Sequence, residues 1–213
     1  MVGFKQFLES YPLKSLEKGE VLMLQGCVPE AVYVIVRGSI KTYTIANGGN
    51  EHLIAIHSDR SALPVGFAYG LVTTTQYFYA AYTPCQVRLI PPEDYIAYIR
   101  ENPQELYQQH LQAIIALMGT MSRINGLEQS KAIDKIAFTL LYLAEQVGSK
   151  LLPYKTYLKL NINQQELADM LGITRETAGH ELKKLEKKNA IMHGRKSYVL
   201  YLARLRSYIV DRK

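Results

Sequence analysis

A chain of 213 residues with 48% hydrophobic and 21% charged residues carries enough apolar material for a sizeable core and has room for two domains, which excludes a disordered or fibrous protein. No apolar run reaches membrane-spanning length, the start Met-Val-Gly-Phe-Lys-Gln lacks a signal-peptide core, and the two cysteines cannot build a disulfide framework, so a cytoplasmic protein with no membrane partner is expected. The net charge of +6 is unevenly spread: residues 129–213 hold 16 Lys/Arg against eight Asp/Glu, whereas residues 1–128 hold nine against eleven, the balance a polyanion-binding carboxyl-terminal domain requires.

The amino-terminal part reads as β-rich. Glu20–Gln25 is strand-like and stops at Gly26-Cys27-Val28-Pro29, Ala31–Val36 follows, and an Arg37-Gly38 turn leads into Ser39–Ile45. Asn47-Gly48-Gly49-Asn50 is a hairpin signal before Glu51–Ile56, and further strand-like segments lie around 64–72, 76–82 and 85–90. Many short strands punctuated by glycine indicate an antiparallel barrel or jelly roll. Residues 94–100 then read as a short helix.

From about Pro103 to Glu128 the chain turns helical again. Leu111, Ile114, Met118 and Met121 recur in a near-heptad pattern, with Ile115, Leu117 and Ile124 widening the stripe. Such a face suits pairing with a second copy of the helix, and a core stripe within one chain is the alternative.

Residues 162–191 carry most information. Asn163 caps a helix, Glu166 completes a capping box, Leu167, Ala168 and Leu171 form an apolar face, and Gly172 suits its end. Thr174 caps a second helix on which Ala178, Leu182 and Leu185 share one side. Arg175, Glu176, Gly179, His180 and Lys183 share an arc of roughly 140° on the other. An Arg fork for guanine, a carboxylate for a cytosine amino group and a glycine permitting close approach are base-reading types. Two short helices joined by a tight turn have the layout of a helix-turn-helix. The alternative is an ordinary helical hairpin with a solvated face. Ile191-Met192, then His193-Gly194-Arg195-Lys196, then Ser197–Leu202 reads as a β-hairpin with a basic turn, the wing of a winged helix.

In this order the parts resemble the catabolite-activator/fumarate-nitrate regulator (CRP/FNR) superfamily of bacterial transcription factors. The most specific segments are Tyr33–Ser39, Ile136–Ala144 and Thr174–His180. The resemblance implies an α+β protein: a barrel over 1–100, a dimerisation helix over 101–128 and a winged helix-turn-helix over 129–213. It implies a homodimer on double-stranded DNA, with contacts to RNA polymerase, and a TGTGA-like palindrome. Arg175 and Glu176 match the family's readers of G·C pairs, with Gly179 and His180 beside them; His180 stands where an arginine is common, which alters the third base preference. Asn163, Gln165, Thr174 and Thr177 fall at phosphate-contacting places, and Lys183, Arg195 and Lys196 are expected on phosphates too.

The sequence departs from cyclic-AMP-binding members. Pro64–Tyr82, the stretch corresponding to their phosphate cassette, contains no charged residue, while a buried cyclic phosphate needs a cation. An uncharged or aromatic effector is expected instead, with Gly66, Tyr69, Tyr77, Tyr79 and Thr120 around it; packed barrel core is the alternative. No cofactor, metal or catalytic role is expected. Two cysteines cannot hold a four-cysteine cluster, and isolated His52, His57 and Cys85 fit structural roles better than haem ligation. Cys27 beside a turn reads as a neutral thiol or a redox switch. A regulator that shifts populations between dimer-helix arrangements is the preferred reading. The second is a ligand-binding module whose helix-turn-helix contacts proteins.

Overall fold

The computed structural model describes residues 3–46, 49, 51–147, 162–194 and 197–210. The wing-tip residues Arg195 and Lys196, and Asn47, Gly48 and Asn50 of the hairpin signal, lie outside them. The chain divides into two compact units, Met1–Ile45 with Leu53–Leu117 and Ala46–His52 with Met118–Lys213.

The first unit begins with helix α1 (Phe4–Glu9), followed by strands β1 (Leu13–Leu16), β2 (Val21–Met23), β3 (Val32–Arg37), β4 (Ile40–Ile45), β5 (Glu51–His57) and β6 (Ala62–Leu63). Helix α2 (Val65–Ala68), strands β7 (Phe78–Ala81) and β8 (Cys85–Ile90) and helix α3 (Pro92–Glu101) follow. Two four-stranded sheets, ordered β1-β8-β3-β6 and β2-β7-β4-β5, make the jelly roll. Both contribute to one core that includes Leu16, Met23, Tyr33, Ile35, Ile40, Leu63, Tyr79, Ala81 and Val87.

Strand β3 shows how pattern becomes position. Its period of two sends Tyr33 and Ile35 into that core and Val32 and Val34 onto a second cluster, where Phe4, Leu8, Ala68, Tyr95 and Ile99 of the three helices cover the sheet. With both faces covered, four consecutive residues are buried and the segment is apolar without alternation.

The segment 64–72, expected as a strand, is a correction. Pro64 has no N–H to give a ladder, and the chain instead closes helical hydrogen bonds from Ala68 N to Pro64 O (3.3 Å) and Tyr69 N to Val65 O (3.2 Å). Gly70 then takes a positive φ of 68° and ends the turn. The short helix expected over 94–100 starts earlier, at Pro92, which suits the first helical position.

Helix α4 (Pro103–Leu127) runs for 25 residues, and the second unit adds α5 (Ala132–Val147), α6 (Gln164–Leu171), α7 (Arg175–Lys187), β9 (Ile191–His193), β10 (Tyr198–Leu200) and α8 (Leu202–Val210). Ile133, Ile136, Ala137, Leu140 and Leu143 put a helix-spaced stripe of α5 into this core. Gly126 lets α4 approach α5: a Cβ there would come within 2.5 Å of the Phe138 Cβ. The strand expected through Leu202 stops at Leu200, because Tyr201 N bonds Ala190 O (3.0 Å) and Leu202 starts a helix that buries Leu205.

Candidate nucleic-acid interface

Local chemistry sets both helices of the motif. The Asn163 side chain accepts from Glu166 N and the Glu166 carboxylate accepts from Asn163 N, each at 2.9 Å, closing the capping box. Gly172 ends α6 in the left-handed region at φ 63°. Thr174 Oγ1 accepts from Thr177 N at 3.1 Å and starts α7 two residues after that glycine. Ala178, Leu182 and Leu185 are wholly buried, and α7 packs on both α5 and α6. Its other face is thereby turned outward.

Arg175, Glu176, His180 and Lys183 are exposed on that face. None of the four makes a side-chain hydrogen bond or ion pair with another described residue. The arc therefore presents an unengaged guanidinium, carboxylate, imidazole and ammonium side by side. Gly179 lies among them. A Cβ there would meet the end of the Gln164 side chain, nearest at Oε1 3.4 Å away, an ordinary contact, so packing within the protein does not demand a glycine. Close approach of another molecule would.

The residues expected on phosphates differ in their engagements. Thr174 and Thr177 pair their hydroxyls at 3.0 Å beside the start of α7, and the exposed Gln165 donates its amide to Asp169 at 2.7 Å. Strands β9 and β10 form an antiparallel ladder, and Gly194 N bonds Ser197 O at 2.8 Å where the wing turns. Gln164, which bounds Gly179, is not singled out by the sequence pattern; its position one residue after the cap is the available signal.

On α4, Ile114, Met118 and Met121 are exposed and Leu111 is half-buried. Tyr107, Ile115, Leu117 and Ile124 are exposed as well, so the long helix carries an apolar face left uncovered among the described residues. The opposite side holds the buried Gly119, Arg123 and Gly126. The Arg123 guanidinium lies 5.7 Å over the Tyr142 ring, donates to Met170 O at 3.3 Å, and titrates below its ordinary value because burial disfavours its charge.

The candidate effector residues separate. Tyr79, and Tyr77 at its margin, belong to the barrel core, and burial pushes the Tyr79 hydroxyl up to about 12. Tyr69 lines a cavity of about 400 Å³ outside that core, together with His57, Ser61, Tyr95, Gln109 and His110. Burial lowers the His57 imidazole to about 4, so it is neutral at physiological pH. Gly66 sits beside Val72, and Thr120 stands on the portion of α4 that belongs to the second unit. Thr75, which sequence reasoning misses, is buried in the uncharged stretch and donates its hydroxyl to Leu24 O at 2.5 Å. Burial raises the Cys85 thiol to about 11, which keeps it protonated.

An eight-stranded roll, a long helix with an uncovered apolar face and a winged helix-turn-helix with an outward-facing polar arc define a class of DNA-binding regulators. Family comparison agrees for both parts: the cyclic nucleotide-binding domain matches residues 13–102, and the Crp-like helix-turn-helix domain matches residues 134–208. The chain belongs to the CRP/FNR family of transcription regulators. It is 28% identical over 194 residues to the cAMP-activated global transcriptional regulator CRP of Escherichia coli O157:H7, covering 91% of this chain and 89% of that one. It is 26% identical over 166 residues to the nitrogen fixation regulation protein FixK of Azorhizobium caulinodans, covering 77% and 64%. Among solved structures, the c-di-GMP-responsive global regulator CLP of Xanthomonas campestris has the same fold, with a TM-score of 0.73 at 22% identity over 92% of this chain and 97% of that one. No helix among the described residues is long and apolar enough to cross a membrane.

Proposed function

We propose that this regulator works as a homodimer on a TGTGA-like palindrome, with Arg175, Glu176, Gly179 and His180 reading base edges. Asn163, Gln165, Thr174, Thr177 and Lys183, with Arg195 and Lys196 of the wing, hold phosphates. The observation that carries this reading is the exposed and internally unengaged arc of α7. A solvated scaffold hairpin would also leave such groups free, but it gives no reason for the glycine among them, which packing within the protein does not demand.

Dimerisation supplies the missing cover for α4, through Leu111, Ile114, Met118 and Met121, and sets two recognition helices roughly 34 Å apart on successive major grooves. Met118→Asp puts a charge into that seam at a residue that is 64% exposed in the single chain. Sedimentation should find the variant monomeric, and its affinity for the full palindrome should fall to that for one half-site. A dimer that binds the palindrome like the parent contradicts the assignment.

The effector is not cyclic AMP. Tyr33, Tyr79, Met23 and Ile35 fill the barrel core, Thr75 is engaged by the turn at Leu24, and Pro64–Tyr82 offers no cation for a buried phosphate. An uncharged or aromatic molecule suits the phenol and imidazole lining of the cavity at Tyr69. Adding cyclic AMP should leave the melting temperature unchanged; a concentration-dependent rise would show that the nucleotide binds the folded state. Contact with RNA polymerase completes the proposal for a regulator that acts on transcription.

A further inference from the structure

Building on the DNA-binding reading, we propose that a lysine-lined cleft between α5 and α7 is a second phosphate-binding site, gripping the DNA backbone on the flank of α7 away from α6. The cleft measures about 620 Å³ and is lined by Lys131, Ala132 and Ile133 on one wall and Glu181, Lys184, Lys187 and Lys188 on the other. The lining holds four lysines to one carboxylate, and Glu181 Oε1 lies 2.7 Å from Lys184 Nζ. All four lysines are exposed.

Two independent considerations point to an anion. Lys184 and Lys187 in the last turn of α7 complement its dipole, so they alone would be unremarkable. Lys131 is placed oppositely: it immediately precedes α5, at the positive end of a 16-residue helix, where a cation is disfavoured. Asp134 in the first turn of α5 complements that end and Glu181 pairs with Lys184, yet the lining still carries four lysines to one carboxylate, a surplus that a bound phosphate offsets.

The second consideration is position. Lys187 shares the outward arc of α7 with Glu176 and His180, while Lys184 faces α5 and Gly179 faces Gln164 of α6. A helix in a groove has a strand on each flank. With Arg175 among the bases, Lys187 stands roughly 18 Å farther along the helix, and a major groove is only about 12 Å wide. The carboxyl-terminal half of α7 must then pass a backbone as it leaves the groove, and the lysine wall lies on that half.

The test uses the full chain, fluorescence anisotropy, and two labelled duplexes of equal length, one carrying the palindrome and one scrambled, across a series of salt concentrations. The variants are Lys131→Ala and the combined Lys184→Ala/Lys187→Ala/Lys188→Ala. The slope of log affinity against log salt should become less negative by about 0.9 for each phosphate no longer neutralised, so by about two to three for the triple variant. Both duplexes should weaken by the same factor, since phosphates carry no sequence information. Lysine-to-arginine replacements should keep the parental slope. Circular dichroism melts matching the parent establish that the variants are folded.

Unchanged slope and affinity in both variants overturn the cleft while leaving base reading by Arg175 intact. A parent that binds neither duplex refutes the underlying DNA reading as well. If inorganic phosphate raises the melting temperature of the parent but not of the variants while their DNA slopes stay parental, the cleft holds a free anion and the proposal fails. If the variants lose only transcription activation, with parental slopes, the partner is an acidic protein and the proposal fails equally.

Discussion

Arg175→Ala is expected to cost about 1–3 kcal/mol per half-site on the preferred operator, a loss of roughly 5- to 150-fold. The loss should fall on discrimination: one G·C pair in each half-site becomes nearly indifferent to substitution, while binding to unrelated duplex changes little. The physical basis is the fork of the guanidinium, which spans the O6 and N7 acceptors of guanine and no other base edge so well. Arg175 is exposed at the first helical position after the Thr174 cap, with its side chain unengaged by other described residues, so removing it leaves the fold of the motif untouched. Uniform weakening on every duplex would instead make Arg175 a phosphate contact. Competition binding with operators altered at each position separates the two outcomes.

Gly38→Ala is expected to be the most damaging small substitution in the roll. Gly38 joins β3 to β4 at φ 89°, where an L-residue is strained by about 1–2 kcal/mol. An added Cβ would fall on the Pro84 carbonyl oxygen and lie 2.7 Å from the Cys85 Cβ. Neither can retreat: Cys85 opens the central strand β8, and Ser39 is bonded from both sides, its N donating to Thr83 Oγ1 at 3.0 Å and its O accepting from Tyr82 N at 2.9 Å. Overpacking of this kind adds about 1–3 kcal/mol. The total, about 2–5 kcal/mol, corresponds to a fall of roughly 5–20 °C in melting temperature. A calorimetric melt superimposable on the parent's would mean that the turn relaxes without resistance.

The positions most legible in the sequence are those whose local chemistry is self-contained. The capping box, the Gly172 stop and the Thr174 cap need only a few neighbouring residues, and these turns form as their residue types require. Strand β3 is evident because a run of β-branched and aromatic residues ends at a glycine turn. Helices α1 and α2 are hidden by length, since six and four residues do not display a helical period. Val65–Ala68 reads as strand because its side chains are as apolar as a strand's, and what decides between the two is where the backbone finds hydrogen bonds after Pro64.

The limits at the candidate site have a different origin. Lys184, Lys187 and Lys188 are conspicuous in the sequence, but Lys131 is more than fifty positions away, and only the packing of α5 against α7 brings it to the same cleft. Tyr69 and Tyr79 look equivalent as aromatic residues of one uncharged stretch. The pleat turns Tyr79 into the barrel core, whereas the end of α2 leaves Tyr69 48% exposed at a cavity. Spacing alone does not reveal which side of a sheet a helix will cover.

The most direct test of the central claim is a cycle between one side chain and one base atom. Replacing the contacted guanine with 7-deazaguanine deletes the N7 acceptor and leaves Watson–Crick pairing in place. Affinities are measured for the parent and Arg175→Ala on both operators. If the guanidinium meets that base, the parent loses affinity on the modified operator and the variant loses none further. Equal losses by both proteins at every guanine tested would contradict the placement of α7 in the major groove.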